Sequence, residues 1–173
     1  MTERRAVILF TRIPVPGHTK TRLMPYCSPR QCAQLHASFL RDINRHLQGI
    51  DADVFIYYAG PGNPEDLKTL WNPLRDPDGG WQMGSGRMEF REQVGEDLGE
   101  RMYTAMEQVL AEGYDKCVLT GTDLPDLTKS IFQDAFTRLD GHDVVLGPTR
   151  DGGYYLIGSR EPQHVCFENQ KYG

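Results

Sequence analysis

The chain has 173 residues, carries 19 Lys and Arg against 24 Asp and Glu for a net charge of −5, and is 39% hydrophobic. That length gives one domain of ordinary size with a real core, and the composition is that of a soluble globular protein. No apolar run approaches the roughly 20 residues of a membrane span, and no long basic stripe with interleaved aromatics suits nucleic acid.

The charge is unevenly spread. Residues 1–50 hold eight Lys and Arg and two Asp and Glu, a net of +6, so the remainder sums to −11. Basic groups near the start and acids further on suit an anionic ligand bridged by a metal, although scattered solvated charge gives the same totals. The N-terminal Met-Thr-Glu-Arg-Arg leads into a strand-like run without a signal-peptide pattern. Cys27, Cys32, Cys117 and Cys166 show neither CxxC spacing nor a disulfide framework. Reduced thiols in a cytoplasmic protein are the expectation.

In chain order, Ala6–Phe10 is a continuous apolar run, which predicts a central parallel strand. The loop Thr11–Leu23 follows, with Pro14, Pro16 and Gly17 as breakers. It carries Arg12, Lys20 and Arg22, with hydroxyls at Thr19 and Thr21. Cations and donors on a loop after the first strand are the chemistry of a phosphate site. The loop is neither a Walker A motif, because Gly17 and Lys20 stand too close, nor GxGxxG.

Ser28-Pro29 predicts an N-cap and a first helical residue. The helix should run to about Leu47, with Cys32, Leu35, Phe39, Ile43 and Leu47 on its apolar face. His36 and His46 are expected on its polar side. Asp53–Tyr58 predicts a second strand, Asn63-Pro64 a short helix through Leu70, Asp76–Gly80 a loop, and Met88–Arg91 a short strand. Gln93–Met102 should open a helix whose core face is Leu98, Met102, Ala105, Met106, Val109 and Leu110. Asp97 can cap its backbone N–H groups. Gly95 and Gly99 would let a ligand or another backbone come close, and Arg101 could reach an anion.

Cys117–Thr120 predicts a buried strand, ended by Gly121 and followed at once by Asp123. An acid just past the C-terminal end of a strand lies where open α/β sheets bind ligands, although a turn or N-cap aspartate reads the same way. Thr128 should cap a helix through Leu139, Asp143–Pro148 should form a strand, and Tyr154–Gly158 should pair with it or with a neighbour. Asp151, with Gly152 and Gly153, occupies the glycine-rich turn between those last two strands. Two acids so placed can share one hard divalent cation, Mg²⁺ or Mn²⁺; Asp151-Gly152 is also good hairpin-turn chemistry.

Four motifs stand in order: LFTRIPVPGHTKTRL at 9–23, QVGEDLGERM at 93–102, LTGTDLPDLT at 119–128 and GPTRDGGYYLIG at 147–158. Together they resemble a bacterial glycosyltransferase-like family of unknown function, of the radical-SAM/selenodomain-associated transferase type, within the nucleotide-diphospho-sugar transferases. Lys20-Thr21-Arg22-Leu23 also looks, more distantly, like the first loop of the guanylyltransferases of cofactor biosynthesis. The resemblance implies a three-layer, Rossmann-like GT-A fold with a mostly parallel central sheet. It implies that Arg12, Lys20 and Arg22, with Gly17 and Thr122, face nucleotide phosphates. It implies that Asp123 takes the place of the metal-binding acid of a DxD-like element, helped by Asp151 because position 121 is glycine. Asp97 and Arg101 would border the nucleotide or sugar, and Gly152 and Gly153 an acceptor loop. Phe167–Tyr172 stands where relatives continue into a final helix, so residues 1–173 are expected as one domain lacking that helix.

The function so implied is metal-dependent transfer from a nucleoside-diphosphate sugar to an unidentified acceptor. Asp123 and Asp151 would hold the ion, or Asp151 would serve as base. The alternatives are nucleotidyl transfer from an NTP with release of pyrophosphate, and a catalytically degenerate nucleotide-binding module.

Overall fold

The computed structural model describes residues 2–71, 86–168, 170 and 172. The loop expected at Asp76–Gly80 lies outside them. Six strands form one sheet: β1 (Arg5–Arg12), β2 (Asp53–Ala59), β3 (Met88–Glu92), β4 (Lys116–Gly121), β5 (Val144–Pro148) and β6 (Tyr154–Ser159). Four helices accompany them: α1 (Pro29–His46), α2 (Pro64–Leu70), α3 (Leu98–Ala111) and α4 (Lys129–Arg138).

The strand order is β3-β2-β1-β4-β6-β5. β1 lies parallel to β2 and to β4, and β2 parallel to β3. β6 alone runs against its neighbours, inserted between β4 and β5. Tyr154–Ser159 therefore pairs with both candidates the sequence left open. This is the mostly parallel α/β architecture expected of a nucleotide-diphospho-sugar transferase fold.

Strands covered on both faces explain the unbroken apolar runs. Val7 and Leu9 of β1 face one layer, with Leu40, Ile43 and Leu47 of α1 and its cap, Leu67 of α2 and Phe132 and Phe136 of α4. Ala6, Ile8 and Phe10 face the other, with Met102, Ala105, Met106 and Val109 of α3 and with Phe167. The period-two alternation of side chains thus sorts one strand between two cores.

Three local expectations need correction. The buried face of α1 is Cys32, Ala33, His36, Leu40, Ile43 and Asn44, while Leu35 is exposed. The apolar residues at 35 and 39 suggested a stripe rotated away from the true one, because a polar histidine occupies a core-facing position. α3 begins at Leu98, not near Gln93, because Asp97 is its N-cap. Leu98 itself is exposed.

Topology fixes where a ligand can enter. From β1 the chain winds outward through β2 to β3, then returns by α3 to β4 on the other side of β1. The chain therefore leaves adjacent β1 and β4 in opposite directions beyond their C-terminal ends, and such a switch point opens a crevice in an α/β sheet.

Candidate functional site

β1 and β4 end side by side, with Phe10 paired to Gly121. The backbone N–H of Thr122 donates to the Phe10 carbonyl at 3.2 Å. The Thr122 hydroxyl donates to the Thr11 hydroxyl at 3.0 Å and lies 3.3 Å from the Phe10 carbonyl. Both threonines are buried. These bonds tie the two strand ends together, so the next residue, Asp123, emerges at the mouth of the switch point.

The loop after β1 brings a cation to meet it. Gly17 has φ +86° and turns the chain in a region closed to most side chains. A side chain there would meet nothing within 4 Å, so conformation rather than space calls for glycine. The chain then tightens into a 3-10 turn at Thr21–Leu23, entered through Lys20 in the left-handed region at φ 48° and ψ 41°. Lysine rarely adopts that conformation, which costs about 1–3 kcal/mol and persists only where the surroundings enforce it. Here it aims the ammonium at Asp123: Lys20 Nζ donates to Asp123 Oδ1 at 2.9 Å. The same nitrogen lies 4.2 Å from the centre of the Phe39 ring on α1. The Lys20 side chain is only 9% exposed, whereas that of Asp123 is 73% exposed.

His36 completes the cluster. Contrary to the expectation of a polar-side residue, it is buried. Its Nε2 lies 3.0 Å from the Arg12 carbonyl, an acceptor, and so donates to it. The Thr11 hydroxyl is 3.2 Å from the same nitrogen. Nδ1 faces Asp123 Oδ1 at 3.6 Å, just beyond hydrogen-bond reach, and has no hydrogen-bond partner among the described residues. The His36 imidazole first, and then the Lys20 ammonium, hold the Asp123 carboxyl well below the usual carboxylate range against the opposing effect of burial. Because Asp123 is largely open to water, its pairing belongs with surface ion pairs, about 0–1 kcal/mol. Its value is positional rather than energetic.

The remaining sequence-derived residues divide between this edge and local duties. Arg12 ends β1, and Arg22 sits in the 3-10 turn; both are exposed, and neither pairs with an acid among the described residues. Thr122 and Thr19 turn inward. Thr122 ties strand ends together, and the Thr19 hydroxyl donates to the Val15 carbonyl at 3.2 Å. Their hydroxyls are therefore engaged within the fold.

Asp151 lies in the turn joining β5 to β6. Leu156 pairs with Thr120, so the residues preceding β6 run toward the same sheet edge as Asp123. The Asp151 carboxylate is engaged within its own turn, by the Thr149 hydroxyl and by the Gly153 N–H at 3.3 Å. Those two bonds lower its pKa. Gly152 supplies φ +91°, and a side chain on Gly153 would come within 3.2 Å of the Thr149 hydroxyl. Both glycines thus answer to the turn. Asp151 is not hydrogen-bonded or ion-paired to Lys20, His36 or Asp123.

On the far side of the sheet, Asp97 caps α3 by accepting from Glu100 N–H at 2.8 Å. Arg101 donates through Nε to the Gly95 carbonyl at 2.9 Å. Gly99 does admit a close backbone, but it is the chain's own: a Cβ there would stand 2.8 Å from the Phe167 carbonyl.

Among the described residues no group of three or more His, Cys, Asp or Glu could hold a metal ion. Asp123 and Asp151 thus form no preformed cage: the first is paired with Lys20 and the second is engaged within its own turn. Mg²⁺ is commonly held by one or two carboxylates together with substrate phosphates rather than by an all-protein cage. A groove of about 780 Å³ lies elsewhere, between α4 and the β5–β6 hairpin, lined by Ile131, Asp134, Arg138, Leu146 and Tyr155 among others. It includes none of the residues of the Lys20–Asp123 cluster. No described helix is long and apolar enough to cross a membrane.

Residues 43–173 match the profile of DUF2064, described as an uncharacterized protein conserved in bacteria. A Desulfovibrio desulfuricans G20 protein assigned as a nucleotide-diphospho-sugar transferase has a crystal structure 34% identical in sequence. It superposes with a TM-score of 0.83 over 99% of this chain and 71% of its own. A 2-phospho-L-lactate guanylyltransferase of Methanocaldococcus sp. (strain FS406-22) is 23% identical over 139 residues, 80% of this chain and 52% of its own. The chain thus spans about half the length of that curated relative. The 4-diphosphocytidyl-2C-methyl-D-erythritol synthase of Anaerococcus prevotii DSM 20548 shares the fold, with a TM-score of 0.59 at 6% identity over 99% of this chain and 79% of its own.

Proposed function

The chain belongs to the DUF2064 family, and on that premise we propose that it is a nucleotide-dependent transferase working at a diphosphate, with a nucleoside-diphosphate sugar as donor. One observation carries this reading: Lys20 and Asp123, 103 residues apart, meet at 2.9 Å at the switch point of the sheet. A cation from the first loop and an acid from the end of β4 there flank the crevice in which α/β sheets hold their ligands.

The work asked of the residues is electrostatic. Lys20, Arg12 and Arg22 would spread the charge that grows on the leaving diphosphate. Asp123, with Asp151 from the neighbouring turn, would hold a Mg²⁺ or Mn²⁺ ion that neutralises the same charge. Asp151, held below the usual carboxylate range by its turn, is a poor proton acceptor at neutral pH and better suited to a charge-holding role. Asp97 and Arg101, at the start of α3, would border the sugar.

A second reading, nucleotidyl transfer, is favoured by the guanylyltransferase relative and by the Lys20-Thr21-Arg22-Leu23 ending of the first loop. The same cluster serves both, because in each case negative charge builds up on a departing phosphate chain. Incubation with UDP- and GDP-sugars, or with GTP and CTP together with a panel of phosphorylated acceptors, in the presence of Mn²⁺ separates them: nucleoside diphosphate or free sugar marks the first, pyrophosphate the second. Asp123→Ala should lower either turnover by about 10²–10³-fold. Undiminished turnover in that variant would remove Asp123 from the chemistry. Nucleotide binding with no turnover of any donor would leave a binding module.

A further inference from the structure

We propose that Lys20 is a placeholder for the metal. Its ammonium occupies Asp123 in the free chain and competes with a divalent cation for that carboxylate, and phosphate favours the cation by drawing the ammonium away. The inference rests on the reading above, that phosphates and a cation meet at the end of β4, and it adds a competition between Lys20 and that cation.

Asp123 Oδ1 accepts from Lys20 Nζ at 2.9 Å and is faced by His36 Nδ1 at 3.6 Å, beyond hydrogen-bond reach. A dication on that carboxylate would stand beside an ammonium whose side chain is only 9% exposed. Two like charges so close, one of them poorly screened, oppose each other. Metal and lysine therefore compete. Nothing else preforms a metal site, since no cluster of three metal-binding side chains stands among the described residues.

Lys20 is also held rather than at rest. It is the one non-glycine residue of positive φ among the described residues. Strained backbone of this kind gathers at active sites, ligand clamps and switch regions. Phosphate arriving between Arg12 and Arg22 offers the ammonium a charge-assisted partner of its own. Once Lys20 turns to it, the carboxylate is freed. Phosphate thus promotes metal binding, and by reciprocity metal promotes phosphate binding.

The test measures two affinities for the full chain and its variants. Mn²⁺ alone is titrated and followed by loss of the free-ion EPR signal; inorganic pyrophosphate alone is titrated calorimetrically without metal. Lys20→Met keeps the length and the packing on Phe39 but loses the charge. It should bind Mn²⁺ about tenfold more tightly than the wild type, within the 5–150-fold range usual for coupled sites, and pyrophosphate about tenfold more weakly. Lys20→Arg should resemble the wild type in both, and Lys20→Met with Asp123→Asn should lose the gain in Mn²⁺ affinity. Lys20→Gln repeats the comparison should the methionine variant unfold. Unchanged Mn²⁺ affinity with weakened pyrophosphate binding overturns the placeholder and leaves the proposed function standing. Unchanged pyrophosphate affinity overturns the exchange. Failure of the wild type and of every variant to bind either probe removes both the inference and the function beneath it.

Discussion

Gly99→Ala sets two physical effects against each other, and the structure decides the sign. Gly99 is the second residue of α3, and on helix propensity alone alanine gains up to about 1 kcal/mol there. The added Cβ, however, would stand 2.8 Å from the Phe167 carbonyl, 3.0 Å from Tyr172 Cε2 and 3.3 Å from Asp97 Oδ1. The tyrosine ring can swing aside. The Phe167 carbonyl cannot easily do so, because its side chain is buried in the core beneath α3 and its N–H donates to the His164 carbonyl at 2.9 Å. Overpacking of this kind costs about 1–3 kcal/mol. The net expectation is a loss of about 1–2 kcal/mol, equivalent to about 2–8 °C in Tm for a chain of this size. Urea unfolding should show a lower midpoint at unchanged slope. A variant as stable as the wild type, or more stable, would show that Phe167 and Tyr172 do not press on α3 as described.

Three shorter expectations accompany it. Gly17→Ala meets no atom, so its loss of about 1–2 kcal/mol is purely conformational; thermal unfolding should show it, and Gly17→Asn should lose less because asparagine tolerates positive φ. His36→Leu removes the donor to the Arg12 carbonyl and a partner of Thr11, and should cost about 1–3 kcal/mol in urea; no loss would mean that the buried network beneath Asp123 is not a structural one. The pH effect of Asp123 has a definite sign. Its folded pKa is depressed, so the native state binds fewer protons than the unfolded chain. Its contribution is present above the unfolded value of about 3.9 and lost as pH falls through that value toward the folded one. Stability curves of the wild type and Asp123→Asn should therefore converge on acidification, and parallel curves would contradict the pairing with His36 and Lys20.

Much of this architecture was legible because local chemistry and tertiary structure agree. Apolar runs at Ala6–Phe10 and Cys117–Thr120 marked strands buried on both faces, and Ser28-Pro29 marked the start of α1, where the full capping box is present. The basic loop and Asp123 were legible as chemistry, because exposed charge beside strand ends has few structural uses. His36 was not. Its helical spacing carries no sign of which way it faces, and a histidine at a core position looks like one on a polar face until the layer above β1 is in place. The same blindness placed Leu35 and Phe39 on the buried stripe of α1.

Local patterns marked where most strands and helices lie and which residue types are available to bind an anion, because periodicity, capping and turn chemistry act over a few neighbouring residues. Long-range packing was needed to bring Lys20 against Asp123, to turn Thr122 inward and to set Phe167 beside Gly99. Those facts depend on the strand order. A return across the sheet from β3 to β4 brings residues more than a hundred positions apart to one edge, and no local pattern encodes that crossing.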